Sequence, residues 1–138
     1  MAGAYLGTYD PKQVTLNISG VLVSGFADGT FIKVERIKPE IYTTHVGAHG
    51  EVGRTKSNDR TGKITFTLKG TSPSNAKLDL LKNSPLPIPF GVKNNSTSMF
   101  VAGSTNSWLS KDPSVEFGLE ETNVEWEITC DELDKSFL

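Results

Sequence analysis

Alternation of apolar and polar side chains is the dominant pattern along this chain. It is clearest where Ile64, Phe66 and Leu68 alternate with lysines and threonines. Residues 12–18 and 124–129 show the same period of two. A period of two, with one apolar and one polar face, predicts strands of antiparallel sheets that are buried on one side only.

Shorter apolar runs add five strand candidates, at residues 21–26, 31–37, 41–46, 99–102 and 115–117. The dipeptide Asp28-Gly29 lies between the first two of these runs. Because glycine reaches positive φ without strain, this dipeptide predicts a hairpin turn that joins them. The chain is therefore expected to be a mainly β, mostly antiparallel domain.

One short helix is predicted over residues 73–82. Ser72 is placed to cap it, and Pro73 suits the first helical position. Leu78 and Leu81 are three residues apart, so they can face the core together. A helix this short is marginal by itself, and we expect it to pack on the sheet.

Three prolines alternate with apolar residues over residues 85–90. If this stretch is extended, the prolines offer no N–H on one lateral side, while Leu86, Ile88 and Phe90 bury one face. Such a stretch would block the growth of a sheet at that point. The alternative is a polyproline II ligand for an aromatic groove, which the intervening apolar residues disfavour.

Residues 47–62 form the longest polar stretch between two predicted strands. They include four glycines, three basic and two acidic side chains. Loops beyond about 12–15 residues are usually functional or disordered. As an out-and-back hairpin, this long projecting loop would extend roughly 25 Å from the body. Its charged side chains suit contact with a polar protein surface; they are Glu51, Arg54, Lys56, Asp59 and Arg60.

Length and composition predict one domain spanning residues 1–138 with a substantial core, since 36% of the residues are hydrophobic. A net charge of −2 argues against a general grip on nucleic acid through neutralised phosphates. The one cysteine, Cys130, excludes an intramolecular disulfide framework and predicts a small buried thiol. We expect no signal peptide and no membrane helix, because neither pattern is visible.

Charge is unevenly distributed along the chain. Residues 1–111 hold thirteen basic and seven acidic side chains, a balance of +6, whereas the acidic C-terminal region, residues 112–138, has a balance of −8. One interpretation is a solvated acidic segment. The alternative is a surface that docks against the opposite sign on a neighbouring copy or lines a shared space.

Candidate chemistry is sparse, and we expect no catalytic residue, metal or cofactor. His45 and His49 are four apart, but the glycines beside them disfavour the helix that would place both on one metal ion. Glu125 and Glu127 share one face of a strand, where two solvated carboxylates are much commoner than an acid–base pair. The chain is therefore not expected to be an enzyme.

Five segments occur in a characteristic order: YDPKQV at residues 9–14, GFADGTFI at 25–32, VGAHGEVGR at 46–54, NDRTG at 58–62 and TSPSN at 71–75. In that order they resemble the tail tube proteins of contractile-tailed bacteriophages. The resemblance extends from residue 5 to about residue 82 and continues beyond it only as length and strand pattern. One departure is His49, where the family commonly has Asp.

The resemblance implies two packed antiparallel sheets that form a barrel-like sandwich, with one short flanking α-helix. It implies hexameric rings whose inner strands join into one barrel and which stack into a hollow tube for DNA. The loop at residues 47–62 would then contact the adjacent ring through its charged side chains. Implied partners are a sheath, a tape-measure protein and baseplate or tail-terminator proteins, in a virion tail assembled in the host cytoplasm.

A channel through which duplex DNA slides should not hold phosphates, because neutralised phosphates strengthen binding. Glu125 and Glu127 are therefore candidates for the lumen, the alternative being an outer surface facing the sheath. Two other functions stay open at this point: a tube of a phage-tail-like bacteriocin or type VI secretion system, and a monomeric β-sandwich adaptor.

Overall fold

The computed structural model describes residues 4–96 and 99–138; residues 1–3, which bear on the signal-peptide expectation, lie outside the described residues. A 3-10 turn at Pro11–Gln13 precedes the strands, and one helix, α1, spans Ser74–Leu81. The strands are β1 Val14–Ile18, β2 Val21–Leu22, β3 Ile32–Arg36, β4 Tyr42–Val46, β5 Val52–Lys56, β6 Gly62–Lys69, β7 Phe90–Asn94, β8 Phe100–Ser104, β9 Ser107–Leu109, β10 Asn123–Cys130 and β11 Asp134–Phe137.

The strands form two larger sheets and one separate hairpin. Five strands follow the order β11-β8-β7-β1-β2, four follow β3-β6-β10-β9, and β4 pairs with β5. The pairings are antiparallel. Neither larger sheet closes on itself within the described residues, so each ends in two edge strands. The predicted mainly β, antiparallel architecture is confirmed.

The core lies between the two larger sheets. Trp126 of β10 stands opposite Phe66 of β6, and Ile128 stands opposite Ile64. These side chains are buried against Leu16 of β1 and the inward face of the other sheet in one apolar cluster. The period-two pattern that predicted β1, β6 and β10 is therefore confirmed, because burial alternates along these strands.

Helix α1 matches the predicted helix to within about one residue at each end. Its first turn is fixed by Ser72, whose hydroxyl donates to the Ser24 carbonyl at 2.6 Å and accepts from the Ser74 N–H at 3.3 Å. Leu78 is buried, and Asn75 accepts a hydrogen bond from the Trp126 indole at 2.9 Å. The helix thus contributes Leu78 to the core and is attached to β10 by the Asn75–Trp126 hydrogen bond.

The predicted hairpin at Asp28-Gly29 is wrong. Gly29 does adopt a positive φ of 80°, but the turn joins strands of different sheets. The strand β2 pairs with β1, whereas β3 pairs with β6. The predicted strand over residues 21–26 shortens to two residues because Gly25, at a φ of 77°, redirects the chain between the sheets.

Two further expectations are corrected by the structure. Residues 115–117 form no strand, because their apolar side chains face solvent instead of a core. In the proline stretch, Ile88 and Phe90 are buried as predicted, but Leu86 is exposed. The stretch does not block sheet growth, because it precedes β7, which has β1 on one side and β8 on the other.

Candidate functional site

The β4–β5 hairpin projects from the body without contributing to its core. Each of its ten strand residues is exposed. A tight turn joins the strands: the Gly47 N–H donates to the Glu51 carbonyl at 2.8 Å, and Gly50 adopts a φ of 85°. The predicted projecting hairpin is present, but residues 52–56 are strand and not loop.

The two faces of this hairpin differ in chemistry. Cross-strand register places five side chains with apolar or cationic groups on one face, together with Thr44. We call this the apolar-cationic face; it consists of Tyr42, Val46, Val52, Arg54 and Lys56. The Arg54 guanidinium lies 4.0 Å from the centre of the Tyr42 ring, a cation–π contact.

The opposite face of the hairpin carries two threonines, a histidine and a glycine. It presents Thr43, His45, Gly53 and Thr55. The imidazole of His45 forms a hydrogen bond of 3.0 Å with the Thr55 hydroxyl through Nε2. His49 lies in the turn between the strands. His45 therefore lies on a strand, whereas His49 lies in the turn.

The other two predicted contact residues lie at the base of the hairpin, where Arg60 contacts the body and Asp59 forms local bonds. Arg60 forms ion pairs with Glu132 at 3.2 Å and with Asp134 at 2.9 Å. Asp59 accepts hydrogen bonds from the Thr61 hydroxyl and N–H, which lower the pKa of its carboxyl. The five predicted side chains thus fall into two groups: Glu51, Arg54 and Lys56 on the hairpin, and Asp59 and Arg60 at its base.

Glu132 and Asp134 were not singled out from the sequence. They lie in the acidic C-terminal region, where each carboxylate resembles its neighbours. Their role depends on the turn between β10 and β11, which brings them beside a residue more than 70 positions earlier. Only their proximity to Arg60 in the fold distinguishes them from the other carboxylates, and the sequence contains no signal for this proximity.

The outer face of the four-stranded sheet is polar. Glu125 and Glu127 lie on this face, opposite the buried side of β10. Glu127 is paired with Lys111 at 3.1 Å and lies 4.0 Å from Lys63. Glu125 is exposed and forms no ion pair within the described residues. The remaining polar members of this face are Lys33, Glu35, Thr65, Thr67, Lys69, Asn123 and Thr129, and β9 adds the half-exposed Trp108 beside Thr129.

An exposed acidic segment, residues 112–121, precedes β10. Its apolar side chains Val115, Phe117 and Leu119 face solvent, with Phe117 94% exposed. Glu116 and Glu120 form no ion pair within residues 4–96 and 99–138. The acidic segment therefore carries both exposed apolar side chains and anionic side chains without ion pairs.

Two other carboxylates attach the acidic segment to the body. Asp112 pairs with Lys82 at 3.2 Å, and hydrogen bonds to Asp79 and Asp112 raise the pKa of that lysine. Glu121 accepts hydrogen bonds from the hydroxyl and N–H of Thr71, which lower the pKa of its carboxyl. The segment is thus held at both ends, and its apolar middle is left exposed.

The hairpin and the acidic segment are attached at opposite ends of the same strand pair. The hairpin leads into β6 at Gly62, which stands opposite Cys130. The acidic segment leads into β10 at Asn123, which stands opposite Lys69. Seven residue steps separate these ends, about 23 Å at the rise of a β-strand.

Cys130 is a buried thiol, as predicted. Its Sγ lies 3.4 Å from the Gly62 carbonyl oxygen, and burial raises the pKa of the thiol. A thiol with a raised pKa is a poor nucleophile. Among the described residues there is no group of three metal-ligating side chains and no helix that is both long and apolar enough to span a bilayer.

Comparison with known sequences places the chain beside one family. The family described as "Bacteriophage PhiTE tail tube protein" matches residues 8–137. Curated protein sequences give no significant match.

Solved structures share the fold at low sequence identity. One is a chain of the sheath–tube complex of an extracellular contractile injection system, PVC, in the extended state, at 9% identity and a TM-score of 0.61, covering 95% of this chain and 93% of that one. Another is the tube-terminating cap of the anti-feeding prophage, at 10% identity and a TM-score of 0.59, covering 100% and 97%. The sheath/tube terminator of PVC in the extended state also matches, at 10% identity and a TM-score of 0.59, covering 96% of this chain and 99% of that one.

Proposed function

This chain belongs to the bacteriophage PhiTE tail tube protein family and is a structural tail tube subunit; we propose that it assembles into stacked hexameric rings that enclose a conduit for DNA. The observation that carries the proposal is the four-stranded sheet. Its two edges, β3 and β9, are unpaired within the described chain, and its outer face is polar apart from Trp108. An unpaired edge favours the addition of a strand from another copy.

Closure of this sheet across copies gives a channel of suitable size. Six copies of a four-stranded sheet would contribute about 24 strands. At a spacing of about 4.8 Å and a tilt of about 40°, such a barrel has a backbone radius of roughly 24 Å. That radius leaves room for a DNA duplex after the side chains are added.

The charges on the outer face of this sheet suit a channel that DNA must leave. Lys63 and Lys111 are paired with Glu127, and Lys63 also lies 3.5 Å from Glu35. Paired lysines neutralise fewer phosphates, and Lys69 is the lysine of this face that forms no ion pair within the described residues, so binding of the duplex stays weak. We propose that this face lines the lumen, with Glu125 as its unpaired negative charge and Glu127 as the neutralised one.

The β4–β5 hairpin supports contact between rings. Its strands bury no residue in their own subunit, and Arg60 at its base forms ion pairs with the body. We propose that Glu51, Arg54 and Lys56 contact the adjacent ring directly. Asp59 and Arg60 would set the direction in which the hairpin projects.

Sheath, tape-measure and baseplate or tail-terminator proteins are the partners that this assembly requires. The likeness to a chain of a sheath–tube complex and to two tube terminators supports this environment through the shared fold. The tail would be assembled in the cytoplasm of the host bacterium and delivered as part of the virion.

Electron microscopy and sedimentation of the purified chain, with and without a baseplate-derived initiator, test the proposal. We expect hollow tubes with stacked annular repeats and six-fold end views. A particle that remains at about 15 kDa at every concentration, with or without the initiator, would contradict the proposal and favour the monomeric adaptor.

One outcome would redirect the proposal. Rings that never stack, with or without the initiator, would match a tube terminator or a secreted tube of the type VI kind.

A further inference from the structure

We propose that the apolar-cationic face of the hairpin of one copy docks on the acidic segment, residues 112–121, of a second copy of this chain. The inference rests on the proposed function, because it identifies the surface that receives the hairpin when rings stack. It concerns residues at the two ends of the four-stranded sheet and leaves the pairing of its edges unchanged.

The hairpin offers two exposed apolar groups and two cationic groups that form no ion pair within the described residues. Val46 and Val52 stand directly opposite each other and are 69% and 70% exposed. Arg54 and Lys56 follow on the same face, and neither forms an ion pair within the described residues. Burial of the valines would remove apolar surface from water and bring the cations near the partner.

The acidic segment offers the complementary set. Phe117 and Leu119 are almost completely exposed, and Glu116 and Glu120 are the carboxylates of the segment that have neither an ion pair nor a side-chain hydrogen bond within the described chain. Asp112 and Glu121 are already occupied by Lys82 and Thr71. The acidic segment thus offers two apolar side chains and two carboxylates. They are complementary to the two valines and the two cationic side chains of the hairpin.

The positions of the two surfaces favour contact between copies. Because they lie at opposite ends of the β6–β10 pair, the hairpin of one subunit projects away from its own acidic segment. Two complementary surfaces at opposite ends of a molecule give a heterologous, head-to-tail interface that extends without closing. Stacking of rings requires such an interface.

Six such contacts per ring would act together. One exposed ion pair contributes little, but linked contacts between two rings add their effects, since the first contact raises the effective concentration of the rest. Reversal of the charges on one surface turns each attraction into a repulsion. We therefore expect it to weaken the stacking of whole rings more than the contact between two single subunits.

Charge reversal on each side, and on both sides at once, tests the proposal. The two variants Arg54→Glu/Lys56→Glu and Glu116→Lys/Glu120→Lys should each lower sedimentable polymer by about tenfold or more, because like charges then face each other. The fourfold variant that combines them should restore polymer to within about twofold of the wild type. It also restores the net charge of −2.

A charge-matched control separates this effect from net charge. Lys12→Glu/Lys93→Glu alters two exposed lysines outside both surfaces and changes the net charge by the same amount as the hairpin reversal. Each variant is checked for folding by circular dichroism and thermal unfolding. The control should polymerise within about twofold of the wild type, whereas the hairpin reversal should not.

The outcomes distinguish the inference from the proposed function. Wild-type protein that forms no tubes contradicts the proposed function. Wild-type tubes with unaffected reversals, or a folded fourfold variant that still fails to polymerise, overturn the docking proposal alone. Reversed variants that form normal tubes but no longer bind sheath would assign the surface to that partner and also overturn the proposal.

Discussion

The β6–β10 pair and the β4–β5 pair are both regular antiparallel ladders, with eight and five cross-strand pairs. In β6–β10, every second side chain is buried in the core between the two sheets. In β4–β5, each side chain is exposed. The backbone hydrogen bonds are alike, so the difference lies in what the side chains contact.

This difference indicates separate roles for the two ladders. A two-stranded hairpin without a packed face is marginally stable in water. The β4–β5 hairpin is held in this subunit by its base, where Arg60 pairs with Glu132 and Asp134. We therefore expect β6–β10 to determine the stability of the subunit and β4–β5 to determine assembly.

The largest expected effect is on stability, from Phe66→Ala. Phe66 is completely buried opposite Trp126, so the substitution should lower the free energy of unfolding by about 3–5 kcal/mol, as the cavity relaxes only in part. Chemical denaturation measures it. The matched change Val52→Ala on the hairpin should stay within about 0.5 kcal/mol, and equal losses at the two sites would contradict the comparison.

Two glycines sharpen the same comparison. A Cβ on Gly62 of β6 would lie 2.6 Å from the Cβ of Leu133, which is buried, so Gly62→Ala should cost about 1–3 kcal/mol of unfolding free energy. A Cβ on Gly53 of β5 meets no atom within 4 Å. Gly53→Ala should therefore leave the midpoint of denaturation unchanged or slightly raised.

The hairpin valines should affect assembly without affecting the fold. Val46→Ser/Val52→Ser removes exposed apolar surface, so thermal unfolding of the subunit should change little, while sedimentable polymer falls several-fold. The control Thr43→Ser alters the opposite face of the same hairpin. A variant that polymerises normally would show that the valines make no contact in the tube.

The smallest expected effect is a pH dependence at the base of the hairpin. The pKa of Asp59 is lowered in the folded state, so its contribution to stability is present above the pKa of the unfolded chain and is lost as the pH falls through the folded value. Asp59→Asn should therefore reduce the fall in melting temperature on acidification below the ordinary pKa of 3.8. Identical acid profiles of both proteins would contradict a stabilising role for this carboxylate.

Local side-chain patterns predicted the parts of the fold that contact the core. The alternation around Phe66 and Trp126 corresponds to the alternating burial of these strands. Ser72-Pro73 correctly indicated the start of the helix. The same reasoning failed at Asp28-Gly29 because turn chemistry shows that the chain reverses, but does not show which strands then pair. In the acidic segment, apolar residues that resembled a strand are exposed.

The candidate site could be predicted only in part. The charged side chains of the hairpin were identified from the length and polarity of residues 47–62. The register of β4 and β5 places Arg54 and Lys56 on the same face as the two valines. This register depends on the residue at which the turn begins. The anchoring of Arg60 by Glu132 and Asp134 depends on contacts distant in sequence.

A helical reconstruction of the assembled polymer by electron cryomicroscopy tests the central claim most directly. The account predicts that the sheet β3-β6-β10-β9 faces the axis, that β3 of one copy continues the sheet at β9 of its neighbour, and that Glu125 points into the channel. A tube lined by the sheet β11-β8-β7-β1-β2, or one in which β3 and β9 remain unpaired, would contradict it.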